Sequence, residues 1–536
     1  MNQHQQNIIQ VMSNPDIYSH AVSKLEHRET HISHVFLTGP YAYKIKKSLD
    51  LEFLDYTTLE KRKYYCQQET TLNQRLSHDV YLGVVAITYD KGQYYLDGPG
   101  KPVEYAVKMR QLSDENSLLR LLRNRKIDET GINQLAHRLS DFYQKAATDA
   151  KINTFGAWDM IQYNCEENFR QTESFAGEIL DTRMFQIIRA ASRLFLHRKK
   201  ELFEDRVHNN KIRDCHGDLR SGHIYFNDEI QIIDCIEFND RFRYADITSD
   251  LAFLAMDLDF EGFTETSRNF VDTYIRYSDD QDIYVLLDFY KCYRALVKSK
   301  VNCLRLHELK PGEYARTRLQ RDAGRYLNLA YRYAIQFSRP TVWVICGCPA
   351  TGKSTIAKEL HHKLHISVLS SDRIRKQLFD LPPDESMDLP FEDGIYSKGS
   401  TALTYGKLLL MAQTEIEHGN SVVLDATFSR QHQRDEALRL SRNMDANIIF
   451  IECVAPFNLL KARLEKREAK STSVSDARLH HIEQLMERYE PLTNIGNGLH
   501  IRINTKKPIK ESIHKILSHD YFLLSQEVSK RIGKQL

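Results

Sequence analysis

Two successive folds are predicted: an α+β two-lobed domain over residues 1–340, then an α/β domain with a doubly wound parallel sheet over 341–520, closed by a tail at 521–536. Three observations carry this reading. Residues of about 30–110 are rich in short β-type runs, such as His34-Val-Phe-Leu-Thr and Tyr81-Leu-Gly-Val-Val-Ala-Ile, around one helical stretch near Thr58 to Leu76. Residues 111–337 have mostly helical period, apart from a hairpin-like patch at 224–236. From 341 onward apolar strands alternate with amphipathic helices, the pattern that builds a parallel sheet. The division falls at Ser338-Arg339-Pro340, where a helical stretch that includes Gly324 stops and an apolar strand starts.

In the second domain the strands are expected at Val342 to Cys346, Ile366 to Ser370, Ser421 to Asp425, Asn447 to Val454 and Leu499 to Asn504. Between the first strand and the helix opening at Ser354 lies Gly347-Cys348-Pro349-Ala350-Thr351-Gly352-Lys353-Ser354, which fits the phosphate-binding loop G-x-x-x-x-G-K-[ST]. Glycine lets the backbone curl so that successive N–H groups face the phosphates, and the helix adds the positive end of its dipole. Lys353 is placed to reach the β- and γ-phosphates and the Ser354 hydroxyl to hold Mg²⁺. Residues Gly347 to Ser354 together with Thr355 are therefore the expected binding residues for a nucleoside triphosphate, taken as ATP.

The carboxyl ends of the next two strands carry acids, and ligands of open parallel sheets bind at such ends. Asp372 and Arg375 follow the second strand on one helical face: the carboxylate could take a hydroxyl proton, and the arginine could clamp an anion. Asp425, ending the third strand before Ala426-Thr427, could serve the Mg²⁺ shell. Further on, Arg463, Arg467 and Lys470 lead into Ser471-Thr-Ser-Val-Ser475, which reads equally as a closing lid and as a solvated basic helix face.

The first domain holds a second constellation. His216-Gly217-Asp218-Leu219-Arg220-Ser221-Gly222-His223 is followed, after two short strands, by Asp234, so the hairpin brings Asp218 and Asp234 to one mouth. One acid could orient an acceptor hydroxyl while the other holds Mg²⁺. Upstream, Lys44 and Lys46 share one face of a strand and Glu69 lies on the next helix. Acids at 240–250 read as structural, with Ser249 or Asp250 capping a helix that opens at Leu251.

This stretch resembles the aminoglycoside phosphotransferase-like (protein-kinase-like) family over roughly residues 30 to 335. The resemblance implies Asp218 as catalytic base, Asp234 as metal ligand, and the Lys44–Glu69 pair as the clamp for the α- and β-phosphates. It departs from the family at His223, which stands where the metal-binding Asn is expected; hard Mg²⁺ prefers oxygen to imidazole. Residues 341 to 505 resemble P-loop kinases of the zeta-toxin-like and polynucleotide-kinase-like, AAA family ATPase type, in which the Asp372 position is the acceptor base. The whole chain looks like proteins that fuse these two domains. The resemblance implies a kinase-like two-lobed fold and ATP-dependent transfer to hydroxyl acceptors by both domains. An alternative keeps one active P-loop kinase or ATPase beside a pseudokinase or binding module.

Bulk properties narrow the partners. A formal charge of +2 gives no general pull toward nucleic acid or anionic membrane, so a small-molecule hydroxyl is favoured over a nucleic-acid 5′-hydroxyl. No apolar run approaches the roughly 18 residues of a spanning helix, and the polar start lacks a secretory pattern. Nine scattered cysteines form no paired framework, which points to a reducing cytoplasm. Cys346 and Cys348 are not expected to ligate metal, because no further ligands are spaced to help.

Overall fold

The computed structural model describes residues 3–51, 54–308, 314–382, 394–468, 482–492, 495 and 499–532. The chain packs as two compact units, the first made of Met1–Phe175, Phe203–Asp280 and Tyr293–Tyr326, the second of Ala176–Leu202, Gln281–Cys292 and Leu327–Leu536.

The first unit opens with a six-stranded antiparallel sheet of β1 (Glu26–Glu29), β2 (Ser33–Leu37), β3 (Tyr41–Lys46), β4 (Tyr81–Asp90), β5 (Gln93–Leu96) and β6 (Lys101–Arg110), in the order β1-β2-β3-β6-β4-β5. Strand period decides which side chains meet. Tyr43 and Ile45 face one core with Ile8, Phe36, Ile87 and Ala106. Ala42 belongs to the core on the opposite face, with Cys66, Tyr81 and Val107, so Lys44 and Lys46 fall on that face too. Helix α1 (Leu59–Ser77) covers this face; it is capped by Thr58, whose side chain accepts from the Lys61 N–H at 3.2 Å.

The rest of the unit is mainly helical, including α2 (Glu129–Lys145), with short antiparallel pairs among the helices, one of them β7 (Ile224–Phe226) and β8 (Ile230–Ile232). Helix α3 (Ile247–Phe260) corrects one expectation. It opens at Ile247, and its cap is Asp246, which accepts from the Thr248 N–H at 2.8 Å, rather than Ser249 or Asp250. Arg206 fixes both oxygens of Asp246 at 2.8 Å, so that carboxylate is already aimed at the helix start.

In the second unit five strands form one parallel sheet: β9 (Thr341–Cys346), β10 (Ser367–Ser370), β11 (Val422–Asp425), β12 (Asn447–Val454) and β13 (His500–Asn504), ordered β10-β11-β9-β12-β13. Each expected strand is present within a residue of its expected bounds. Every residue of β9 is buried, as a central strand with both faces covered requires. Helices α4 (Lys353–Leu364), α5 (Ser371–Leu378) and α6 (Phe457–Glu468) follow β9, β10 and β12. The α+β and doubly wound α/β folds are thus both present. Among the described residues no helix is long and apolar enough to cross a membrane.

Candidate functional site

In the first unit the two lysines of β3 converge on Glu69 of α1. Lys44 Nζ lies 2.8 Å from Glu69 Oε1, and Lys46 Nζ lies 2.7 Å from Glu69 Oε2. Lys44 also donates to Asp234 Oδ1 at 2.6 Å, whereas Lys46 pairs with Glu237, whose Oε1 accepts from Tyr56 at 2.7 Å. The two-residue period therefore yields two roles: Lys44 points to the mouth, and Lys46 is wholly buried beneath it. Burial works against the Lys44 ammonium, but Asp234, Glu69 and Glu237 raise it well above the ordinary lysine range. Burial likewise opposes the Asp234 carboxylate, and Lys44 with His223 pulls it far below the ordinary range.

The loop from His216 to His223 is fastened from behind. Asp250 of α3 accepts from the backbone N–H groups of His216 at 2.6 Å and Gly217 at 2.9 Å, and from the Tyr143 hydroxyl at 3.0 Å. Asp257, one helical turn or two further on, accepts from Ser221 N–H at 2.9 Å. At the mouth Arg220 holds Asp218 bidentately, both contacts at 2.9 Å. Partial burial opposes the Asp218 carboxylate, but Arg220, His223 and Lys298 keep its carboxyl below the ordinary range. His223 Nδ1 donates to the Asp218 carbonyl at 3.0 Å, which leaves Nε2 to accept from Arg220 at 2.8 Å. Burial and Arg220 push its pKa to about 4, so the ring is neutral at pH 7.

Asp218, His223 and Asp234 offer ligand atoms that all lie within 4.8 Å of one another. Their two carboxylates suit a hard divalent cation and the imidazole a softer one. Cys346, by contrast, is buried and donates to the Ile451 carbonyl at 3.5 Å.

In the second unit the strand register assembles the site. Ile345 of β9 and Ser370 of β10 both stand opposite Asp425 of β11, so the three carboxyl ends lie side by side. Gly347 comes two residues past Ile345 and Asp372 two residues past Ser370. The Gly347 N–H donates to the Thr427 carbonyl at 3.1 Å, tying the loop to the segment after Asp425. Gly347 (φ +133°), Ala350 (φ +61°) and Gly352 (φ +94°) curl the loop over α4. Lys353 Nζ bends back onto the Cys348 carbonyl at 2.9 Å, and Thr351 Oγ1 donates to the same carbonyl at 2.7 Å. Ser354 and Thr355 open α4 at the surface.

A β-carbon on Gly347 would stand 2.4 Å from the Cys453 carbonyl oxygen, a backbone atom. Gly347→Ala is therefore expected to destabilise this unit by about 1–3 kcal/mol. An unchanged denaturant midpoint would contradict the loop geometry.

Two arginines have partners of their own. Arg375 is buried; its Nη1 donates to the Ile395 carbonyl at 2.8 Å, its guanidinium lies 4.7 Å from the Tyr396 ring centroid, and its Nε has no hydrogen-bond partner among the described residues. Arg463 Nη1 donates to the Ala350 carbonyl at 3.1 Å and Thr505 Oγ1 at 3.0 Å, so it braces the phosphate loop. Beside it a cavity of about 340 Å³, lined by Gly352, Thr355, Arg463, Thr505 and Lys507, adjoins the loop. The lid expected at Lys470 to Ser475, like the Arg467 side chain, lies outside the described residues.

Four contributors were not singled out from sequence. Arg220 stands two residues past Asp218 in the extended backbone of one loop, a spacing that could have suggested it. Glu237 stands three residues past Asp234 but pairs with Lys46 from the far end of the domain, Asp250 read only as a helix cap, and Thr505 reaches its site from a distant position with no local signal.

The chain thus joins a two-lobed α+β unit, with a lysine–glutamate pair and two mouth acids, to an α/β unit with a phosphate loop. A family model described as an AAA domain matches residues 342–492. Uncharacterized proteins of Mycobacterium tuberculosis and Mycobacterium bovis are each 31% identical over 441 residues, covering 82% of this chain and 86% of theirs. The chain belongs to the same family as these mycobacterial proteins. Among solved structures, a choline/ethanolamine kinase family protein from Mesorhizobium loti is 11% identical, covering 61% of this chain and 98% of its own, with a TM-score of 0.37. A putative kinase from Chloroflexus aurantiacus is 22% identical, covering 34% of this chain and 98% of its own, with a TM-score of 0.28.

Proposed function

We propose that the chain is an ATP-dependent phosphotransferase acting on hydroxyl groups of small molecules, with the P-loop unit as its principal centre and the two-lobed unit as a second. The observation that carries this reading is the alignment of the phosphate loop with Asp425 and Asp372 at adjacent strand ends. In the P-loop unit the backbone N–H groups and Lys353 bind the phosphates, and the cavity beside Arg463 and Thr505 takes the nucleoside. Ser354 and Asp425 would hold Mg²⁺, which neutralises phosphate charge when bound. Asp372 accepts the acceptor's O–H proton as the new O–P bond forms and the bond from the γ-phosphorus to the β–γ bridging oxygen breaks, releasing ADP. Arg375, poised on the same helix, orients that segment.

In the two-lobed unit Lys44, oriented by Glu69, reaches the phosphates; Asp234 would hold the cation and Asp218 would serve as base. For this to happen Arg220 must leave Asp218 for the transferring phosphoryl group. Because Arg220 occupies both Asp218 oxygens and His223 replaces an oxygen ligand, a second reading makes this unit a binding module beside one active kinase. The near-neutral charge favours a small acceptor, and nine free thiols suit a reducing cytoplasm.

Incubation with labelled ATP and a metabolite mixture is expected to give phosphorylated products by mass spectrometry, and Asp218→Ala to remove part of the turnover. Unchanged turnover in Asp218→Ala would favour the second reading. Phosphate release with no phosphorylated product would sink the transferase assignment altogether.

A further inference from the structure

A cavity of about 990 Å³ opens between α1 and α2, within the size range of small-ligand pockets. It is lined by the last turns of α1, past the Glu69 that the two lysines grip. Glu69 and Asn73, four apart, face the mouth, where Asn73 Oδ1 accepts from the Cys235 N–H at 2.8 Å. Leu72, Arg75 and Leu76 instead line the cavity, opposite Phe142 and Arg138 of α2.

The lining is apolar on its floor and cationic at its edge. Asp214 is already held by Arg75 at 3.0 Å and Arg243 at 2.6 Å, while Asp141 has only His137 at 3.4 Å, which carries charge only when protonated. Arg138 spends Nη2 on the Leu76 carbonyl at 2.9 Å and has no ion-pair partner among the described residues. Lys145 has no ion-pair partner among the described residues. Arg138 and Lys145 thus outnumber Asp141, the one carboxylate of the lining that no described arginine or lysine holds, and beside leucine and phenylalanine walls this excess matches a small anion with an apolar body.

Arg75 connects this cavity to the phosphotransfer loop. Its Nη1 and Nη2 donate to the carbonyls of Asp214 and Cys215 at 3.0 Å, just before His216, and Nη2 also reaches Cys235 Sγ at 3.3 Å, just after Asp234. One guanidinium thus ties together the segments that carry Asp218 and Asp234. We propose that the α1–α2 cavity binds a small amphipathic anion, a carboxylate or phosphate ester with an apolar body, which draws Arg75 from these carbonyls and lowers the activity at Asp218. The binding claim stands on the cavity alone; the regulatory claim rests on the phosphotransfer reading of the first unit.

The test uses full-length protein carrying Lys353→Ala, with saturating Mg-ATP and 8-anilinonaphthalene-1-sulfonate as the probe anion. One saturable fluorescent site is expected, weakened about tenfold by Arg138→Met or by the surface change Lys145→Gln, and blocked by Gln134→Trp at the exposed rim. Absence of saturable binding, or equal binding in all three variants, overturns the site. ATP turnover that depends on Asp218 is expected to fall as the probe saturates. Unchanged or increased turnover with variant-sensitive binding leaves the site standing and overturns the coupling. If no turnover depends on Asp218 even without probe, the phosphotransfer reading of the first unit fails, and the binding results decide the site by themselves.

Discussion

Lys353→Ala, made in an Asp218→Ala background, is expected to cut the remaining ATP turnover by about 10²–10³-fold, the scale of removing one preorganised charge from a developing transition state. The side chain already occupies the loop's interior, where its ammonium is held by the Cys348 carbonyl. A γ-phosphoryl group would replace that carbonyl with far stronger charge complementarity. The loss should fall mainly on kcat, because the backbone N–H groups and the nucleoside cavity keep binding ATP. Lys353→Arg should not restore it, since a planar fork cannot enter a loop shaped around a compact ammonium. Stability should change by less than about 1 kcal/mol, because Lys353 is only half-buried and, among the described residues, its ammonium bonds to its own loop alone. Turnover within twofold of the background would remove the P-loop unit from the chemistry.

The second unit was legible because each of its signals is local. A buried parallel strand is a run of β-branched and apolar residues, its carboxyl end is marked by the first polar group, and the phosphate loop is a fixed string. Asp425 and Asp372 could be placed from the chain alone because strand ends are where such sheets bind ligands. The helix near Thr58 to Leu76 was equally readable, since Thr58 caps it and its register puts Glu69 inward.

What the sequence hides is which charges neutralise which. Arg375 has the spacing of a phosphate clamp, yet the chain after α5 brings Ile395 and Tyr396 to it. Arg463 reads equally as a lid residue and as part of a solvated basic helix face until the chain just past β13 delivers Thr505. Asp250 lies 34 and 33 residues past His216 and Gly217, whose backbone it fastens, and only the packing of α3 behind that loop makes it a support rather than a helix cap. Such assignments depend on tertiary contacts between segments whose order along the chain carries no periodic pattern. Arg220 is the exception: its grip on Asp218 spans only two residues, and whether it leaves that carboxylate separates a catalyst from a binding module.

Glu69→Ala is expected to destabilise the first unit by about 3–5 kcal/mol, the cost of breaking a buried ion pair and leaving charge behind. Lys44, Lys46, Glu69 and Glu237 form a neutral buried set, while Asp234 keeps 43% of its side chain exposed and is partly served by solvent. Removing Glu69 leaves that set with one uncompensated positive charge. Lys46 retains Glu237, but Lys44 has only Asp234, so the ammonium would settle on the carboxylate proposed to hold the cation. Glu69→Gln should cost less, because the amide oxygen still accepts from one lysine.

The effect has a defined pH dependence. Burial raises the Glu69 carboxyl, but Lys44 and Lys46 outweigh it and hold the folded-state value below that of the unfolded chain. The stabilisation is therefore complete above the unfolded value of ~4.3 and drains away as pH falls through the folded one. Denaturant titrations should show the full gap between wild type and Glu69→Ala at pH 7 and a smaller gap below about pH 4. A gap that stayed constant across that range would mean that the lost stability comes from packing around α1 rather than from the charge that Glu69 places between the two lysines.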